Sequence, residues 1–207
     1  MKPIEYSVPM RTKIIYAPVG LMTSRNVFQM HNEQLLDAAG WTIINIFEIF
    51  KALFDSKKAV IHCGNLGKHG ILMDGIFEGL GYRAILHESG KLKATIEEFL
   101  DGVVPFLLVV SAEYGMDFKD IDLQFILKVP YAAMDERLKA LEKEIGKPAF
   151  KEWYSLDAMN RLVQQCGRVG RGANDFGVTF ILDSKFLNLY DKYLDKLPGW
   201  FKMRVEI

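Results

Sequence analysis

Cysteine is almost missing from this chain: 207 residues contain two, Cys63 and Cys166. They lie far apart, without a CxxC spacing, which argues against a zinc or iron–sulfur site built within the chain. Reduced, buried thiols in an intracellular protein, cytoplasmic if the source is prokaryotic, are the expectation. Long apolar runs are lacking too. None approaches the roughly 18 residues of a membrane-spanning helix, and MKPIEYSVPM at the start has no apolar signal core. No sign of charge dominates: Lys+Arg and Asp+Glu are both 26, so the net charge is zero. The composition therefore carries no overall basic footprint of a nucleic-acid binder, and any anion site must be local. Internal repeats, low-complexity tracts and Pro/Ser-rich linkers are absent, so residues 1–207 are expected to form one domain. The phosphate motif G-x-x-x-x-G-K-[ST] is missing as well. GNLGKHG (64–70) comes near it, but its Gly64-to-Gly67 spacing is short and His69 stands where a hydroxyl would meet Mg²⁺. PVGLMTSRN (18–26) supplies no G-x-G-x-x-G, which counts against a free-standing Rossmann-like enzyme; Ser24 and Arg25 there shape a loop.

What is present is 50% hydrophobic, enough for a full-sized core, and ordered as alternating strands and helices. TKIIYA (12–17), KKAVIHC (57–63), YRAILHE (82–88), PFLLVVSA (105–112), LQFILKVPY (123–131) and GVTFILD (177–183) read as strands. Helical spacing marks 34–54, with Gly40 a weak point, and a segment after the glycine turn ending at Gly79 or Gly81. It also marks 93–102 closed by Gly102, 134–146 and 155–171, before a Lys- and Asp-rich tail. Repeated β-α-β units predict an α/β fold, a mainly parallel sheet with helices on both faces. Ligands in such sheets sit beyond the carboxyl ends of the strands. Three segments are expected there: CGNLGKHG, SAEYGMDFKD and the helix leading into the last strand. His62 and His87 are expected as satisfied core residues, as are the methionines and the aromatic residues at helical spacing in 41–54.

QQCGRVGRGANDFG (164–177) places two arginines among four glycines. On a helix, Met159, Val163, Cys166 and Gly170 form a buried stripe. Gln164, Arg168 and Arg171, at i, i+4 and i+7, cluster on a nearly opposite face. One amide and two guanidiniums thus share a target, and arginine's planar fork suits phosphate oxygens. The alternative is a solvated face with surface salt bridges, against which Gln164, Gly167 and Gly172 weigh.

Gln164-x-x-Gly167-Arg168-x-x-Arg171-Gly172, followed by Asp175-Phe176-Gly177 and Asp183-Ser184-Lys185-Phe186, resembles the last motif of superfamily-2 helicases. The likeness is greatest to the XPD/DinG-like branch. LPGW (197–200), GMDF (115–118), VPY (129–131), AVIHCGNLGKHG (59–70), EEFLDG (97–102) and SLDAMNRLVQQ (155–165) match further family segments in order, over nearly the whole chain. The resemblance implies a three-layer RecA-like domain, the second motor domain of an ATP-dependent DNA helicase. A D-E-A-H box is missing, so the first motor domain, expected outside these residues, would bring the phosphate loop and hold most of the ATP and Mg²⁺. An iron–sulfur cluster, typical of the family's first motor domain, would also belong there.

By the same resemblance, Arg168 and Arg171 are the arginine fingers and Gln164 positions the phosphate or attacking water. Gly115, Asp117 and Gly167 serve nucleotide binding and its coupling to DNA. Asn65, Lys68, Ser111 and Tyr114 lie where the family touches single-stranded DNA; for Asn65 and Lys68 an ordinary βα turn is the alternative. Tyr114 stands where the family has glutamate, with Glu113 one place earlier. Asp183 and Lys185 are expected to be structural, as a turn and local pair. The implied activity is 5′-to-3′ unwinding in DNA repair, with single-stranded DNA, ATP and the first motor domain as partners and no membrane. The isolated chain is expected to be inactive. The other reading is a RecA-like interaction module that hydrolyses nothing.

Overall fold

A computed structural model describes residues 12–23, 33–64, 69–87, 90–110, 118, 121–169 and 176–207. Seven strands form one sheet in the order β3-β4-β2-β5-β6-β1-β7. They are β1 (Thr12–Gly20), β2 (Ala59–His62), β3 (Ala84–Leu86), β4 (Phe106–Val109), β5 (Leu123–Ile126), β6 (Gly177–Asp183) and β7 (Val205–Glu206). Every pairing among the described residues is parallel. The helices are α1 (Glu33–Phe54), α2 (Ile71–Gly79), α3 (Leu92–Asp101), α4 (Glu136–Ile145), α5 (Lys147–Cys166), α6 (Lys185–Tyr193) and α7 (Gly199–Arg204).

The central strands β2, β4, β5 and β6 are buried along their whole length, as their near-continuous apolar sequences require in a sheet covered on both faces. Strand alternation divides the core. Ala59, Ile61, Phe106, Leu108, Leu123, Phe125, Val178 and Phe180 face α1 and α2, where they meet Phe47, Met73 and Phe77. On the other face, Val60, Leu107 and Val109 pack under Phe99 of α3 with Phe118 and Ile121. Ile14, Ile126 and Ile181 pack under α5, α6 and α7. The result is the expected three-layer α/β architecture.

Three differences have physical causes. Strand β5 stops at Ile126 rather than 131: Val129 N–H turns to the Asp183 carboxylate (3.0 Å), and Pro130 has no N–H to donate. Helix α1 runs through Gly40, where a Cβ would stand 2.5 Å from Ile76 Cγ2 of α2. That glycine lets α1 and α2 approach closely. The Lys- and Asp-rich tail is ordered structure: Phe186, Leu189, Tyr190 and Tyr193, at i, i+3, i+4 and i+7, bury one face of α6. Phe201 of α7 joins them, and each such side chain contributes roughly 1.5–3 kcal/mol when fully buried. The apolar spacing was there to be read, masked by the charges between.

Core expectations divide similarly. Met22, Met73, Met159 and Phe47 are buried, whereas Trp41 and Phe54 are 54% and 51% exposed and Met134 and Met203 also reach solvent. His87, just past edge strand β3, is only half-buried rather than core. Both cysteines are free and buried, and burial pushes their thiols well above the ordinary range.

Candidate functional site

Helix α5 begins eight residues earlier than its sequence pattern suggests. Gly146, at φ 79°, ends α4 and lets the chain reverse without a break into α5. Phe150, Ala158, Met159, Leu162, Val163 and Cys166 then form its buried stripe. The helix ends at Cys166. Gly167 N–H bonds to Val163 O (3.1 Å), and Arg168 N–H bonds to Gln165 O (3.0 Å) in a tightened last turn. Gln164 therefore stands on the helix, but Arg168 stands in the turn after it. Arg171 lies outside the described residues, as do Asn65, Lys68, Ser111, Tyr114, Gly115 and Asp117.

Gln164 is exposed, Gly167 and Arg168 are half-buried, and Val169 is buried beneath the turn. Asn160, Val163, Gln164, Gly167 and Arg168 line an open depression of about 510 Å³, closed on its other side by Pro198 and Trp200. Two segments some thirty residues apart in sequence, QxxGR and LPGW, thus line one depression. Trp200 went unrecognised as a site residue because only tertiary packing brings it beside α5, whereas Asn160, four residues before Gln164 on the same helix, was within reach of helical spacing. Gly167 has φ −83°, and a Cβ would meet Trp200 at an ordinary 3.5 Å, so its conformation makes no demand for glycine.

The turn lies against the sheet's second face rather than beyond the carboxyl ends. From it the chain enters β6 at its amino end, and Gln165 O is held by the second residue of β5, Gln124 (Nε2, 3.1 Å). Gln124 is fully buried and also donates to Thr179 Oγ1 (2.7 Å), its direct neighbour across β6. A backbone carbonyl only accepts, so the Gln124 nitrogen faces it and the amide oxygen faces His62 Nε2 at 3.2 Å. His62 therefore carries its proton on Nε2. Burial drives its pKa down to about 4, the Gln124 bond opposes that, and the positive charge of Arg168 adds to the depression. His62 is a core residue as expected, though its Nδ1 has no hydrogen-bond partner.

At the carboxyl edge, Asp183 joins three strand ends. Its carboxylate accepts from Met22 N (3.2 Å), Val129 N (3.0 Å) and Lys185 N (3.0 Å). This is the structural role expected, with Lys185 contributing its backbone amide. Gly64, at φ 71°, opens the turn after β2 that leads to residues 65–68.

The exposed site is a donor set: Arg168 offers only N–H groups and Gln164 an amide, which fits an anion such as a phosphoryl group. A family profile described as helicase C-terminal domain matches residues 51–204. The chain belongs to that family. It is 30% identical over 93 residues to the Fanconi anemia group J protein homolog of Gallus gallus, covering 44% of this chain and 7% of that protein. It is 24% identical over 197 residues to the regulator of telomere elongation helicase 1 homolog of Drosophila virilis, covering 83% and 19%. The helicase C-terminal domain described here thus spans under a fifth of either relative. Among solved structures, Xpd4 of S. tokodaii superposes with TM-score 0.57 at 16% identity, over 98% of this chain and 39% of that one. Domain 2 of the DEAD-box helicase Mss116p, bound to an RNA duplex, gives 0.51 at 11%, over 89% and 59%. At these identities they establish the RecA-like fold alone.

Proposed function

We propose that this domain is the second motor domain of an ATP-dependent DNA helicase similar to XPD. The observation that carries the reading is the grouping of Gln164 and Arg168 on one open wall, at the end of a helix whose other face is locked into the core. ATP with Mg²⁺, held mainly by the first motor domain, supplies the phosphoryl group whose cleavage drives movement. Arg168, with Arg171, places guanidinium N–H groups where negative charge develops on that group, and Gln164 orients the phosphate or the attacking water. Gly115 and Asp117 couple nucleotide state to DNA; Asn65, Lys68, Ser111 and Tyr114 hold the single strand. Movement from 5′ to 3′ and a role in DNA repair follow from the resemblance to XPD, and the names of the telomere-helicase and Fanconi relatives support a helicase assignment.

The test is single-stranded-DNA-stimulated ATP turnover by the complete gene product carrying these residues, beside its Arg168→Ala and Arg171→Ala variants. A loss of roughly 10³-fold or more in rate, with nucleotide binding retained, is expected for each. Unchanged turnover in both variants, or none in the parent, would instead favour an interaction module.

A further inference from the structure

We propose that Gln124 is a positioning residue for Arg168, acting through the carbonyl of Gln165. This rests on the reading of Arg168 as the residue that meets the phosphoryl group. Gln165 O accepts two hydrogen bonds: Arg168 N–H at 3.0 Å from within the turn, and Gln124 Nε2–H at 3.1 Å from the sheet. Within the same turn Gly167 N–H bonds to Val163 O, and Val169 is buried. Gln124 therefore pins the peptide from which the arginine departs.

Stability alone does not account for a glutamine here. The neighbouring inward positions on this face of β5, β6 and β1 are Ile126, Ile181 and Ile14, and an aliphatic side chain at 124 would bury no polar group. Installing the amide draws in Thr179 and His62 as partners and still leaves two buried polar atoms without hydrogen bonds, His62 Nδ1 and Gln165 Oε1. A partly satisfied buried network is a poor way to stabilise a core. It is an effective way to define one helix-end orientation, because the amide's two donors and one acceptor admit a single arrangement. The network also spans β2, β5 and β6, and β2 runs directly into the glycine turn at 64. The turn bearing Arg168 is thus tied to the strand that leads to residues 65–68.

Two readouts in the complete protein test this. Amide hydrogen exchange over 164–169 reports on the turn itself, and DNA-stimulated ATP turnover reports on its use. Gln124→Met is expected to speed exchange there and to lower kcat by roughly 10²-fold with KM changed less than about twofold, as a misplaced but chemically intact group does. Thr179→Val removes the other acceptor of the Gln124 amide nitrogen while sparing the carbonyl contact, and is expected to leave exchange and kcat near the parent's. Gln124→Met added to Arg168→Ala is expected to cost nothing further in rate, because the group it positions is gone. Should Gln124→Met not fold, Gln124→Met with Thr179→Val replaces both partners by apolar groups of similar shape and carries the same expectation.

Unchanged exchange in a folded Gln124 variant would overturn the inference. So would equal losses in Thr179→Val and Gln124→Met, or an additive loss on top of Arg168→Ala. Full turnover by Arg168→Ala alone would overturn the motor reading, while the exchange measurement would still decide whether Gln124 holds the turn.

Discussion

Burial holds the His62 imidazole near pKa 4 in the folded protein, with the Arg168 charge adding to the effect, whereas an exposed histidine titrates near 6.5. As pH falls below 6.5 the unfolded chain takes up a proton that the native state refuses. Stability is therefore lost from about pH 6.5 down to about pH 4, below which both states are protonated and this loss ends. The full contribution is on the order of 3 kcal/mol. Urea unfolding between pH 7 and pH 5 should show the decline, and His62→Gln, which keeps a donor toward Gln124 without a titrating group, should flatten it. Parallel declines in parent and variant would assign the pH dependence elsewhere. Residue identity was partly legible from the sequence: His62 was recognisable as a core histidine by its apolar strand. Its partner was not, since Gln124 differs from any exposed glutamine only through its register opposite Thr179.

Gly40 shows what decides the behaviour of an element. By helix propensity, Gly40→Ala should stabilise α1 by up to about 1 kcal/mol. The new Cβ, however, would stand 2.5 Å from Ile76 Cγ2, a stiff branch close to the backbone of α2. Overpacking of this kind costs typically about 1–3 kcal/mol, so the variant should unfold at lower urea concentration than the parent. Ile76→Ala as a second change should recover much of the loss. A more stable Gly40→Ala would mean that α1 and α2 separate freely. The existence and type of helices α1 to α5 followed from apolar spacing, as did strand 177–183, whose boundaries match β6, whereas α6 and α7 in the charged tail did not. The ends of α5 did not follow. Its start depends on the left-handed turn at Gly146, and its stop at Cys166 depends on carbonyl partners in the sheet.

For the whole molecule, the absence of a phosphate-binding loop from the sequence predicts that the 207-residue chain alone hydrolyses no ATP at a measurable rate. It should bind single-stranded DNA weakly, with affinity falling steeply between 50 and 200 mM salt, about 0.7 log units per log unit of salt for each phosphate contacted. Fluorescence anisotropy with a labelled oligonucleotide measures the slope. Turnover by the pure chain, abolished by Arg168→Ala, would contradict the division of labour between two motor domains.

The linear order of apolar runs, glycines and the Q-x-x-G-R-x-x-R-G stretch was enough to determine a parallel α/β domain of the helicase C-terminal family. Those signals are local, set by side-chain period and backbone sterics within a few residues. What only the tertiary structure decided is which distant segments share a surface. Helix α7 brings Trp200 to the depression that Gln164 lines, and strand β5 brings Gln124 against the carbonyl of Gln165. These juxtapositions depend on strand order in the sheet and on how the last helices pack across it. No short window of sequence encodes either, because each is the joint solution of burying every apolar face at once.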